Sequence, residues 1–120
     1  MTSSPAPPPR VTNTPLWVPS PEQVARANIT RFARAAVADW GAPAAAARDY
    51  RALHGWSVAS PERFWPAVWR FCGVVADERS GSEPWDEVLV GRERVAPPTP
   101  GLGPSWFTGA RLNFAENLLR

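Results

Sequence analysis

Ser60-Pro61-Glu62-Arg63-Phe64-Trp65-Pro66-Ala67-Val68-Trp69-Arg70-Phe71-Cys72 carries the most apolar helical pattern in the chain. Ser60 and Pro61 make a cap-and-proline opening. Phe64, Val68, Phe71 and Val75 then form one apolar row, and Trp65, Trp69 and Cys72 form a second. The two rows cover more than half of the circumference, the pattern of a helix buried on more than one side. Pro66 lies inside it, where the ring costs about 3 kcal/mol, so a kink or a later helix start is expected there.

Upstream, Ser20 is a good N-cap, Pro21 suits the first helical position and Gln23 can complete a capping box. Ala25, Ile29, Phe32, Ala36 and Trp40 recur at helical spacing, with Arg26, Arg31, Arg34 and Asp39 mostly on the other side. This predicts one amphipathic helix, closed by a left-handed Gly41 and stopped by Pro43. Asp49 to Trp56 reads as a short helix with Tyr50 and Leu53 facing inward. Residues 1–15, with Pro5-Ala6-Pro7-Pro8-Pro9, lack the amide donors of helix or sheet and read as a disordered, polyproline-like arm. Pro5 to Pro8 fits P-x-x-P, a match so common in such arms that a solvated tail is the better account.

Downstream, Asp77 to Pro84 is loop-like. Val88-Leu89-Val90, Gly91 and Arg94-Val95 predict a short strand with a turn that can close into a two-stranded ribbon. Ala96 to Pro104 is proline- and glycine-rich loop. Asn113, with Glu116 three residues on, is a capping box for a helix whose apolar side starts with Phe114, Leu118 and Leu119. That helix has a specified start and no specified end, which predicts that the natural polypeptide continues past Arg120. The fold class is therefore mainly α, with a short β ribbon and long proline-rich loops.

The 120 residues allow one modest domain plus tails. A formal charge of +2 is too small a surplus for a nucleic-acid binder or a polybasic membrane binder. One Cys excludes an internal disulfide and a cysteine zinc site. No apolar run approaches the ~20 residues of a membrane span. The start of the chain lacks the pattern of a secretory signal, so a cytoplasmic setting is expected.

The residues that could do chemistry are few. His54 is the only histidine, and a structural or surface role is the better account of it than catalysis. Cys72 lies on the apolar side of its helix and is expected in the core as an inert thiol. Asp77-Glu78 and Asp86-Glu87 are adjacent carboxylates in loops, expected at the solvated surface. Gly101-Leu102-Gly103 is followed by Pro104 and lacks the third glycine and helix start of a dinucleotide fingerprint. All 13 basic residues are Arg, so no G-x-x-x-x-G-K-[ST] loop exists. Asn28-Ile29-Thr30 matches a glycosylation sequon, which means little on a helix without a secretion signal. The tryptophans could stack on bases or sugars, but without aromatic–basic alternation core packing explains them better. No catalytic, cofactor-binding or metal-binding residue is assigned.

Trp106-Phe107-Thr108-Gly109-Ala110-Arg111-Leu112-Asn113-Phe114-Ala115-Glu116-Asn117-Leu118-Leu119 resembles the W-F-x-G-A-x-L-N-[FY]-A-E-N-L-L segment of acetoacetyl-CoA synthetases. Pro15 to Glu22, Ala25 to Phe32, Tyr50 to Val58, and Pro61 to Trp69 are similar to the same family in order. The resemblance implies an adenylate-forming acyl-CoA synthetase that uses ATP, magnesium and coenzyme A to make acetoacetyl-CoA through an acyl-adenylate. It implies that residues 16–120 are the N-terminal domain, ending where the adenylation domain begins. The family's Ser/Thr/Gly-rich loop, acidic residues and catalytic lysine all lie downstream of the matched stretch. Pro66 departs from the family, which usually has a helix-compatible residue there.

Two readings follow. In the first, the chain is the structural N-terminal part of an acetoacetate–CoA ligase, and its partner is the downstream adenylation domain, in cis or in trans. In the second, it is a stand-alone, non-catalytic module that docks on a ligase or self-associates through an exposed apolar helix face. An independent small-molecule enzyme has no supporting constellation.

Overall fold

A computed structural model describes residues 15–77, 81–94 and 103–119. The proline-rich arm, except Pro15, and most of the loop from Ala96 to Pro104 lie outside the described residues. The Ser20 capping box forms: the Gln23 amide donates to Ser20 Oγ at 3.2 Å, and the Ser20 amide donates to Gln23 Oε1 at 2.8 Å. The helix it opens is short. α1 (Pro21–Arg26) ends at Ala27, whose ψ of 139° is extended, and α2 (Asn28–Asp39) starts from the same residue. The single helix expected here is therefore two. Alanine is the best helix former, so the break has no local cause. α1 buries no residue, whereas α2 buries Phe32, Ala33 and Ala36. Nothing anchors α1 in line with α2, and both Ala25 and Ile29 of the expected buried row are exposed.

Gly41 takes φ 75° as expected, and the Ala42 amide returns to the Ala36 carbonyl at 3.0 Å. A 3-10 turn (Ala44–Ala47) leads to α3 (Tyr50–Ala59), which Asp49 caps by accepting the Arg51 amide at 2.9 Å. α3 buries Leu53 and Trp56, but Tyr50, expected inward, is 70% exposed.

α4 (Pro61–Cys72) starts at Pro61 and passes through Pro66 without interruption, so the later start is not used. Ser60 occupies the cap position without a side-chain cap bond. The Pro66 ring is buried, and that apolar burial offsets the missing amide donor. Gly73 closes the helix at φ 63°, with the Val74 amide on the Trp69 carbonyl at 3.1 Å. Cys72, expected in the core, is exposed at the edge of an open groove between α2 and α4.

The two faces of α4 serve two lobes. One face packs Phe64, Val68 and Phe71 onto a core of Phe32, Ala33, Ala36, Ala46, Leu53, Trp56 and Ala67. Phe32 is its centre, edge-on to Phe64 at 5.6 Å and to Phe71 at 5.3 Å. The other face carries Trp65 and Trp69 toward a two-stranded antiparallel ribbon, β1 (Leu89–Val90) and β2 (Ser105–Trp106), with Leu89 opposite Trp106. The observed partner of β1 is Ser105-Trp106; of the expected Arg94-Val95, Arg94 ends a turn and Val95 lies outside the described residues. Gly91, at φ 74°, opens a turn closed by the Arg94 amide on the Gly91 carbonyl at 2.9 Å, and the chain turns away there. β2 and the residue after it bring Trp106 and Phe107 into ring contact with Trp65 and Trp69 of α4.

Phe107 is the only described non-glycine residue with positive φ, at 48°. In a regular strand adjacent side chains face opposite ways. The left-handed step lets Trp106 meet Trp65 at 5.8 Å while Phe107 meets Trp69 at 4.8 Å. Trp65 and Trp69 are four residues apart on α4, so two consecutive aromatics reach two consecutive turns of one helix face. The ring contacts offset a left-handed cost of about 1–2 kcal/mol.

Candidate functional site

The side chains with chemical potential do not converge. His54 is exposed and lies beside Tyr50, with ring centroids 6.2 Å apart. Asp77 pairs with Arg111 at 3.8 Å on the surface, and Asp86 and Glu87 are exposed on the strand leading into β1. Among the described residues no three His, Cys, Asp or Glu side chains form a group that could hold a metal, and no helix is long and apolar enough to cross a membrane.

A cleft of about 480 Å³ lies between the α2 C-terminus, α4 and the segment before β1. It presents Asp39, Glu62 and Glu83 against Arg63 and Arg70. Arg70 is engaged by Glu83, and its guanidinium lies 5.7 Å from the Trp85 ring centroid. Glu83 is paired with Arg70 and Glu62 with Arg92, which leaves Asp39 against Arg63 and no concentration of positive charge that would hold a polyphosphate.

The distinctive surface is apolar. A groove of about 250 Å³ between α2 and α4 is lined by Ile29, Phe32, Phe64, Val68, Phe71 and Cys72. α4 thus has partners on both apolar rows, the ribbon on Trp65 and Trp69 and the helical core on Phe64, Val68 and Phe71, and the groove leaves the second row partly open. A second apolar face is on α5 (Phe114–Leu118), where Phe114 is 74% and Leu119 81% exposed.

α5 is held from its polar side. Asn113 caps it, accepting the Ala115 amide at 2.9 Å and the Glu116 amide at 3.4 Å. The Val75 amide donates to Asn117 Oδ1 at 2.8 Å, and Asn117 Nδ2 donates to the Val75 carbonyl at 2.9 Å. The Asn117 carboxamide thereby pairs with the Val75 main chain at two points, as a neighbouring strand would. The Asp77 amide adds a bond to the Arg111 carbonyl at 2.8 Å. Sequence reasoning found the Asn113 cap but not the role of Asn117; its only local signal is a carboxamide amid apolar side chains.

Asn117→Ala should strip both partners from the half-buried Val75 peptide groups and cost about 1–3 kcal/mol. Amide exchange should quicken at Val75 and through α5 while the Leu53 amide keeps its protection. An unchanged rate at Val75 would show that the clamp does not hold α5.

A family model described as acetyl-coenzyme A synthetase N-terminus matches residues 50–118. The acetoacetyl-coenzyme A synthetase of Rhizobium meliloti (strain 1021) is 41% identical over 106 residues, covering 88% of this chain and 14% of the relative. The malonamoyl-CoA synthetase vrtB of Penicillium aethiopicum is 43% identical over 72 residues, covering 60% of this chain and 9% of the relative. The solved structure of acetoacetyl-CoA synthetase from Streptomyces lividans superposes with a TM-score of 0.69 at 41% identity, covering 89% of this chain and 14% of that one. The chain thus spans about one seventh of the length of these acetoacetyl-CoA synthetases. The match over residues 50–118 includes α3, α4, the ribbon and the Asn113 to Leu118 segment, that is, one wall of the apolar groove and the apolar face of α5, while α2, the other wall of the groove, precedes it. The chain belongs to the acetyl-coenzyme A synthetase N-terminus family and corresponds to the N-terminal region of acetoacetyl-CoA synthetases.

Proposed function

We propose that residues 16–120 form the structural N-terminal domain of an acetoacetate–CoA ligase and act by packing on its adenylation domain. The observation that carries this reading is α5: its polar side is clamped to Val75 and its apolar side, Phe114, Leu118 and Leu119, faces outward. A face so arranged is built to be covered. The complete ligase would join acetoacetate to coenzyme A with ATP and magnesium, releasing AMP and pyrophosphate, in the cytoplasm. Among the described residues nothing fits the nucleotide or the metal: the carboxylates Glu62 and Glu83 of the 480 Å³ cleft are paired with Arg92 and Arg70, no three metal-ligating side chains come together, and the chain has no lysine. Its contribution is to order the start of the adenylation domain and shield that domain's surface from water. The relative named for malonamoyl-CoA shares this segment, which supports placing acyl selection outside it.

The test compares the isolated chain with the chain fused to the downstream part of the Rhizobium meliloti relative. The isolated chain should show no exchange of pyrophosphate into ATP and should bind a hydrophobic dye. The fusion should exchange pyrophosphate in the presence of acetoacetate and lose most of the dye signal. Exchange by highly purified isolated chain would overturn the reading. A dye-negative, two-state monomer with a protected α5 would instead favour a stand-alone module.

A further inference from the structure

Beside the α2–α4 groove lies a second depression, about 280 Å³, where α1, α2, the 3-10 turn and the start of α3 meet. Its depth comes from small side chains. Ala33 and Ala46 are buried in its floor with Leu53, and Ala44–Ala47 supplies nothing longer than a methyl group. Ile29, 53% exposed, lines both depressions and joins them into one surface. The break at Ala27 helps to keep that surface open, because α1 does not continue the line of α2.

Arg34 and Arg48 line this second depression, both exposed, and among the described residues neither guanidinium has an ion-pair or hydrogen-bond partner. Asp49 also lines it, but its Oδ1 already accepts the Arg51 amide as the α3 cap. The surface therefore combines an apolar floor, an apolar ridge at Ile29 and two uncommitted guanidiniums. Arginine binds carboxylates through two parallel hydrogen bonds and is enriched in interfaces for that reason.

We infer that this joined surface, from the α2–α4 groove across Ile29 to Arg34 and Arg48, is the face that receives the remainder of the ligase polypeptide, and that the receiving surface offers apolar side chains flanked by carboxylates. The inference rests on the proposed function and adds to it the face used and the chemistry of the partner. The occupant is argued from the comparisons, in which about six sevenths of each acetoacetyl-CoA synthetase lies outside the match, and from the positive charge at the rim.

Hydroxyl-radical footprinting tests it on the isolated chain and on the fusion described above. In the fusion, oxidation of Ile29, Phe71 and Tyr50 should fall several-fold relative to the isolated chain. Arg34→Glu with Arg48→Glu should return Ile29 and Tyr50 to the rates of the isolated chain, since each lost close charge pair weakens an interface by about ten-fold or more. Added salt should act in the same direction. Both guanidiniums are exposed and unpartnered, so the helical signal of the isolated double variant should stay unchanged. Shielding confined to Phe114, Leu118 and Leu119, or shielding of Ile29 that ignores both charge changes and salt, would overturn the inference and leave the docking reading standing. Shielding that grows with concentration in the isolated chain would assign the face to a second copy and overturn it also. No shielding anywhere in a fusion that exchanges pyrophosphate would remove the docking reading together with the inference.

Discussion

Phe32→Ala is expected to abolish the cooperative unfolding transition of the isolated chain. Phe32 meets three rings, Trp40 at 6.2 Å, Phe64 at 5.6 Å and Phe71 at 5.3 Å between centroids, and through the last two it joins α2 to α4. Its loss removes the contacts that hold α2 on α4 and leaves a cavity. Phenylalanine-to-alanine changes in cores cost about 3–5 kcal/mol. Small domains have about 5–15 kcal/mol in total, and this one is short, with alanines supplying much of its core. A urea melt followed by circular dichroism should lose its sigmoid, whereas Phe32→Leu should keep a transition shifted to lower urea. A Phe32→Ala chain that unfolds cooperatively within about 1 kcal/mol of the parent, the centre of ordinary point-mutation effects, would show that the groove side of α4 is held by something else.

Trp85→Ala should cost a similar amount but act on the other lobe. Trp85 is buried and edge-on to Trp69 at 5.2 Å and to Phe107 at 4.9 Å, with Arg70 stacked outside it. Removing it takes away a wall of the pocket that holds Phe107 in its left-handed conformation. The backbone of residues 86–88 and 105–108 should then relax and lose its pairing. The amides of Phe107 and Thr108, which donate to the Val88 and Glu87 carbonyls at 2.9 and 2.8 Å, should exchange faster. The Leu53 amide, within α3, should not respond. Equal acceleration at Leu53 would mean that the two faces of α4 unfold as one unit.

The local signals of this chain were readable because each is settled within a few residues. Ser20 with Gln23 and Asn113 satisfy free amides of the helices they open, and Gly41 supplies a left-handed residue that closes a helix, whereas Ser60 takes its cap position without a side-chain bond. The double apolar row of α4 predicted a helix with partners on two sides, and two lobes occupy those sides. The W-F and L-N-F-A-E-N-L-L stretches carried the family through residue identity alone.

The tertiary structure decided what depends on distant partners. Ala27 breaks a helix that spacing alone would continue, because only α2 has a core to lie on. Ser105-Trp106 pairs with β1 across a gap of some fifteen residues, where its aromatic neighbourhood meets Trp65 and Trp69. Tyr50 and Cys72 occupy apolar positions of their helices yet face solvent, since periodicity says which residues share a face but not how far the neighbouring element extends. Asn117 is the clearest case. Its partner Val75 lies 42 residues away, and a carboxamide that pairs with a peptide group at that separation leaves no trace in local spacing. Caps and glycine closures are short-range backbone chemistry and were fixed by neighbouring residues; helix breaks, strand partners and exposed faces were decided by which surfaces the folded chain could bury.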